Sequence, residues 1–251
     1  MELNKIYNEE CLIGMQRIPD KSIDMVLCDL PYGTTSNKWD AVIPFEGLWS
    51  AYNRICKDTA IIALTASQPF TSALVMSNPK MFKHEWVWIK NRGSNYANTV
   101  REPMKEHESI LIFSKGKWIY NKQMQERTGA GLDRVQYELN HRSKSDNYRE
   151  FDGREGVNLP NLRVPSSWQK FNTEVGLHPT QKPVALFEYL IKTYSNEGDT
   201  VLDNCIGSGT TAIACINTNR NYIGFEMDKE KGYFELAENR VKERNNQKTL
   251  F

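Results

Sequence analysis

Two short stretches of this 251-residue chain carry side chains suited to chemistry, and they stand far apart in the sequence. The first is Asp29-Leu30-Pro31-Tyr32-Gly33, directly after the apolar run from Ile23 to Cys28. An acid, a proline and an aromatic together suit the activation of an exocyclic base amine. Such an amine is a poor nucleophile because its lone pair is delocalised into the ring. Asp29 would accept one amine hydrogen, and a backbone carbonyl in the turn, that of Leu30 being a candidate, would accept the other. The nitrogen would then be pyramidal, with its lone pair in line with a methyl group. Pro31 fixes the turn, and Tyr32 would stack on a base flipped out of a duplex. The same residues also read as a strand-ending Asp followed by an ordinary turn.

The second stretch is Val201-Leu202-Asp203-Asn204-Cys205-Ile206-Gly207-Ser208-Gly209-Thr210-Thr211. A strand runs into a glycine turn and then a helix. Glycine lets backbone approach a ligand closely, and a helix N-terminus offers amide donors to an anionic group. The next strand, from Tyr222, ends at Glu226, where a carboxylate can accept hydrogen bonds from ribose hydroxyls. A bare Gly-Ser-Gly is a tight turn; the strand-turn-helix-strand-Glu context points to a nucleoside-containing cofactor. The full Gly-x-Gly-x-x-Gly is absent, which argues against a nicotinamide cofactor.

The elements that must position these groups follow from the apolar pattern. Strands are expected at Ile23 to Cys28, Ala60 to Leu64, Glu85 to Ile89, Ser109 to Phe113, Thr200 to Asp203 and Tyr222 to Glu226. Helices are expected from Ile43 to Lys57, Gln68 to Met76, Pro183 to Tyr194, Thr210 to Asn217 and Lys229 to Glu243. Through residue 113 strand and helix alternate, the pattern of a mostly parallel, doubly wound α/β sheet. From Lys115 to about Gln169 the chain is polar, rich in Asn, Arg and Ser, and without sustained periodicity. The expected organisation is one α/β domain, 1–114 with 170–251, interrupted by a loop-rich insertion at 115–169.

Composition fits this. Hydrophobic residues make up 39% and charged residues 25%, with a net charge of only +1. That balance argues against a generic polyanion-coating protein, although 115–170 holds 11 Lys and Arg against 7 Asp and Glu. No apolar run reaches membrane-spanning length, and no secretion signal opens the chain. Five scattered cysteines with no Cys-x-x-Cys pair suggest neither a disulfide framework nor a metal site, so a reduced, cytoplasmic protein without metal is expected.

The two stretches, in this order, resemble the beta class of S-adenosylmethionine-dependent DNA amino-methyltransferases, the N6-adenine and N4-cytosine enzymes. There an Asp/Ser/Asn-Pro-Pro-Tyr motif precedes a cofactor motif close to Asp-Pro-Phe-x-Gly-Ser-Gly-Thr-Thr. Leu30 replaces the first proline, and Asn204 and Cys205 replace Pro and Phe. Three further blocks are similar: Asn8-Glu9-Glu10-Cys11-Leu12, His107 to Phe113, and His178-Pro179-Thr180-Gln181-Lys182-Pro183.

The resemblance implies a permuted Rossmann-like methyltransferase domain, with Asp29, Pro31 and Tyr32 catalytic. It implies S-adenosyl-L-methionine contacts from Glu10, Asp29, His178, Thr180, Lys182, Asp203, Gly207, Ser208, Gly209, Thr210 and Glu226. Glu10 would lie near the cofactor adenine, and Lys182 would pair with its carboxylate. The insertion would be the target-recognition region, its Arg127, Arg134, Arg142, Arg149, Arg154 and Arg163 meeting double-stranded DNA. His107 is expected to be a hydrogen-bonded structural residue, and Trp39, Trp86, Trp88, Cys28 and Cys205 to serve packing. Asp at position 29 favours adenine N6, with cytosine N4 as the alternative. RNA methylation, or DNA binding without catalysis, stands further off. A homodimer and a companion restriction endonuclease are partners the sequence leaves open.

Overall fold

The computed structural model describes residues 1–35, 37, 40–128, 161–174, 176, 181–227 and 232–248. In chain order they form β1 (Lys5–Tyr7), α1 (Cys11–Met15), β2 (Ile23–Cys28), α2 (Phe45–Ile55), β3 (Cys56–Ala66), α3 (Phe70–Ser77), β4 (Phe82–Ile89) and β5 (His107–Phe113). After these come β6 (Gln125–Glu126), β7 (Leu162–Arg163), β8 (Trp168–Lys170), α4 (Val184–Tyr194), β9 (Thr200–Asp203), α5 (Thr210–Asn217), β10 (Asn221–Phe225) and α6 (Tyr233–Lys248).

Eight strands make one sheet in the order β1-β10-β9-β2-β3-β5-β4-β8, while β6 and β7 pair with each other. The pairs β1–β10, β10–β9, β9–β2, β2–β3 and β4–β8 are parallel. β5 runs antiparallel to both β3 and β4. The expected strand–helix alternation therefore stops before residue 113. Residues 90–106 between β4 and β5 hold only a short 3-10 turn, Tyr96–Asn98, so the chain returns as an antiparallel hairpin without a crossover helix.

Period-two alternation decides what each face buries. Met25 and Leu27 pack with Leu186, Phe187, Leu190 and Ile191 of α4 and with Ala212 and Ala214 of α5. Val26 and Cys28 face the other way, onto Leu48, Trp49, Tyr52 and Ile55 of α2. Those four α2 residues form one helical stripe. Pro44 supplies the extended N-cap that starts α2, and Cys56, already extended, ends it. Burying a side chain of this size contributes about 1.5–3 kcal/mol. Trp86 and Trp88 lie in the core, as expected.

The described chain separates into two compact units, Met1–Asn121 with Ser167–Phe251, and Lys122–Ser166. The second is narrower than the 115–169 expectation, because β8 belongs to the main sheet beside β4. No helix among the described residues is long and apolar enough to cross a membrane.

Candidate active site

The two chemical stretches meet at the middle of the sheet. β9 and β2 are parallel neighbours, with Met25 opposite Val201 and Val26 opposite Leu202. From β9 the chain crosses by α5 to β10, towards one edge; from β2 it crosses by α2 to β3, towards the other. The two helices cover opposite faces. A crevice therefore opens beyond the strand ends at this switch point, where open α/β sheets bind ligands. Asp29 leaves one lip and the 203–209 loop the other.

Register places Asp29 in its network. Cys28 lies opposite Leu64 on β3, which brings Thr65 alongside Asp29. The Thr65 hydroxyl donates to Asp29 Oδ1. Tyr32 donates to the same oxygen at 2.8 Å and lies 2.9 Å from Thr65 Oγ1. Burial, reinforced by the negative charges of Asp29 and Glu108, keeps the Tyr32 phenol well above its ordinary pKa and therefore protonated. One face of its ring is stacked on Phe70, with centroids 5.2 Å apart.

The second oxygen of Asp29 is taken as well. Lys182 Nζ donates to Oδ2 at 2.7 Å and lies 3.4 Å from Glu108 Oε2. Glu108 Oε1 receives the ammonium of Lys90. Charges thus alternate along Asp29, Lys182, Glu108 and Lys90, with Lys182 only 6% and Lys90 only 5% exposed. Burial alone would lift the Glu108 carboxyl, but Lys182 and Lys90 outweigh it and hold it below the usual range. Burial likewise opposes charge on Lys182, and Asp29 and Glu108 overcome it, raising its pKa. The expected partner of Lys182 was a cofactor carboxylate; its ammonium instead bridges two carboxylates of the chain.

Sequence reasoning missed Thr65, Lys90 and Glu108. Glu108 carries only a faint signal, a carboxylate between His107 and Ser109 just before the apolar half of its strand. His107 itself is exposed at the start of β5, where it pairs with Ile89 of β4.

The glycine loop is built for close approach. Gly207 (φ +51°) and Gly209 (φ +82°) adopt left-handed backbone that other residues rarely take. A Cβ on Gly207 would meet nothing within 4 Å, so the loop borders open space, whereas one on Gly209 would press on Ala237 at 3.2 Å. Glu226, just past β10, accepts the Gly207 amide at 2.8 Å and so sits over the loop. This open glycine cradle beside a strand-end carboxylate fits an adenosyl cofactor.

Two acids expected at the cofactor are engaged elsewhere. Asp203 is 3% exposed; Oδ1 accepts the Cys205 amide at 3.0 Å, and Oδ2 accepts the Thr211 hydroxyl. It ties the loop to α5, and burial pushes its pKa up to about 6. Glu10 is the N-cap of α1, receiving the amides of Leu12 at 3.0 Å and Ile13 at 2.9 Å. Ser208 and Thr210 are buried, the former receiving Arg240 at its carbonyl and the latter donating to the Lys182 carbonyl. Cys28 is fully buried and Cys205 partly so; all five cysteines are free. Asn204 donates towards the sulfurs of Cys11 and Cys205 and accepts from Tyr52 at 2.5 Å.

Of the arginines expected at DNA, Arg127 donates from Nε to the Leu162 carbonyl and Arg163 donates to Ser166. Arg134, Arg142, Arg149 and Arg154, with His178, Thr180 and Trp39, lie outside the described residues. Among the described residues no cluster of His, Cys, Asp or Glu could hold a metal.

A switch-point crevice with a glycine cradle on one lip and an acid-proline-aromatic turn on the other defines an S-adenosylmethionine-dependent methyltransferase of permuted order. A family model described as DNA methylase, covering N6 and N4 enzymes, matches residues 23–239, and the chain belongs to this beta-class amino-methyltransferase family. It is 29% identical over 243 residues to the type II methyltransferase M.HpaI of Haemophilus parainfluenzae, covering 91% of this chain and 71% of the relative. It is also 29% identical over 255 residues to M1.MboII of Moraxella bovis, covering 92% and 94%. The solved complex of M1.HpyAVI with S-adenosylmethionine aligns with a TM-score of 0.61 at 26% identity, over 94% of this chain and 98% of that one.

Proposed function

We propose that this DNA methyltransferase acts on the N6 amine of adenine, in a base flipped from a specific duplex site, and works in the cytoplasm. The observation that carries the reading is Asp29 at the switch point, where Ser is the family alternative. Its carboxylate is aimed by three donors on three separate elements.

S-adenosylmethionine supplies an electrophilic methyl group when bound. The chain's own work is to hold the amine. Asp29 accepts one amine hydrogen and balances the positive charge that grows on nitrogen during transfer. Tyr32 and Thr65 fix the rotamer of that carboxylate, and the protonated Tyr32 cannot compete with it as a base. Glu108 draws Lys182 from the other side, so its charge is not directed at Asp29 alone. The surplus amine proton leaves to solvent. Gly207 and Glu226 bind the adenosyl portion, Glu226 through the ribose hydroxyls. Residues 115–169, which include the compact unit Lys122–Ser166, read the DNA sequence.

Methylation-aware sequencing of DNA from cells expressing the chain reports base and context together. N6-methyladenine at one sequence is the expected outcome, abolished by Asp29→Ala with S-adenosylmethionine affinity retained. N4-methylcytosine would replace the adenine assignment, and undiminished activity of Asp29→Ala would refute the role of that residue.

A further inference from the structure

Between β4 and β5 the chain forms a hairpin held together by its own hydrogen bonds. It begins at Lys90, the last charge of the buried chain that leads through Glu108 and Lys182 to Asp29. It ends beside Glu108 itself, so both feet stand at the rim of the active site. The stem is closed by the Lys90 amide on the Glu106 carbonyl (2.8 Å) and the Ser94 amide on the Lys105 carbonyl (3.1 Å). Asn95 then ties the two arms together. It accepts the Lys105 amide at 2.6 Å and donates to Glu102 Oε1 and the Pro103 carbonyl, each at 3.0 Å. Gly93 leaves the room that Met104 fills. At the tip, the amides of Asn98, Thr99 and Arg101 turn back onto the carbonyls of Asn95, Tyr96 and Asn98.

This hydrogen-bonded frame presents apolar side chains to water. Tyr96 is 81% exposed and Val100 is 85% exposed, more than any other large hydrophobic residue among those described. The same hairpin carries Arg92, Arg101 and Lys105, all exposed, against exposed Glu106 at its base and Glu102, which is partly buried and held by Asn95. A flat ring and a branched aliphatic group on a hydrogen-bonded tip, with three exposed cations on the same hairpin, match the two components of a duplex. The ring and the aliphatic group fit between stacked bases, and the cations fit phosphates.

We propose that the 90–106 hairpin is a wedge for double-stranded DNA: Tyr96 and Val100 enter the helix beside the target and occupy the space its base leaves. The inference rests on the proposed base-flipping reaction. Extruding a base breaks its pair and its stacking, a cost that falls for a mismatched base. A filler held in shape before binding offsets that cost without a further ordering penalty. The hairpin tip, Tyr96 and Val100, therefore matters for opening the duplex and leaves the chemistry and the cofactor untouched.

The test compares wild type with Tyr96→Ala, Val100→Ala and the double variant, on two duplexes carrying the site found by methylation-aware sequencing. One duplex is fully paired and the other has a mismatch opposite the target. On the paired duplex kcat/KM for the double variant should fall at least about tenfold, the equivalent of about 1.4 kcal/mol of barrier. On the mismatched duplex the loss should be under about threefold, because opening is already cheap. Unfolding temperature and S-adenosylmethionine affinity should match wild type. Equal losses on both duplexes, or none on either, would overturn the wedge. If wild type itself methylates neither duplex, the proposed reaction fails instead.

Discussion

Replacing Lys182 by methionine tests the ion chain that aims Asp29. The substitution keeps the length and apolar stem but leaves two carboxylates with one ammonium, that of Lys90 on Glu108. Breaking a buried pair from one side typically costs about 3–5 kcal/mol. Asp29 is 22% exposed and Glu108 keeps Lys90, so the lower end, about 3 kcal/mol at pH 8, is expected here. The pH dependence is more telling. In wild type the pKa of Glu108 is depressed, so its contribution is present above the unfolded value and lost as the pH falls through the folded one. Without Lys182, only Lys90 still opposes the burial that lifts that carboxyl, so the folded variant holds its proton to higher pH than folded wild type does. The gap between wild type and variant should therefore shrink as the pH falls from 8 to 5, by up to about 1.4 kcal/mol per unit. Urea unfolding across that range measures it, with Lys182→Arg as the charge-preserving control. Parallel curves, or a loss under about 1 kcal/mol at pH 8, would refute the network. Titration of the same variant with S-adenosylmethionine asks whether the ammonium also serves the cofactor.

Asp203→Asn should act with the opposite sign. Its folded pKa of about 6 lies above the ordinary 3.8, so wild type loses stability as the pH rises through 6, by about 3 kcal/mol in all, and the variant should not. Unfolding curves with the same slope for both proteins would contradict the burial argument. Glu226→Ala should weaken S-adenosylmethionine binding by about 1–3 kcal/mol in calorimetry, through lost hydrogen bonds to a charged acceptor; unchanged affinity would move the ribose elsewhere. Single alanine replacements of Arg134, Arg142, Arg149 and Arg154 should change site preference or the salt dependence of DNA binding while leaving cofactor affinity alone. Four silent variants would remove target reading from these arginines.

The sequence by itself determined the parallel half of the fold and the two chemical stretches. Ile23 to Cys28, Thr200 to Asp203 and Thr210 to Asn217 are legible because period, length and glycine punctuation act locally, and β2, β9 and α5 have the bounds that patterning assigns. Asp29-Leu30-Pro31-Tyr32 and the 203–211 loop are legible for the same reason: each motif is contiguous. Helix ends were less exact, because Pro44 and the extended Cys56 trim α2 to 45–55. What patterning could not supply is anything set by register between distant strands. The antiparallel return of β5, and β8 at the edge, follow from which strand ends the chain can join, information held by no single segment. Asp29 acquires Thr65 because Cys28 lies opposite Leu64, and Lys182, 153 residues away, reaches it only once α4 packs on the sheet. Glu108 and Lys90 become part of the site because Trp88 pairs with Glu108 across two antiparallel strands. Conversely, Asp203 and Glu10 look like ligand acids in the sequence, and the fold engages them with the chain itself: Asp203, buried, holds the Cys205 amide and the Thr211 hydroxyl, and Glu10, half-buried, accepts the amides that open α1. A motif records which groups are present; burial and strand pairing decide which of them remain available to a substrate.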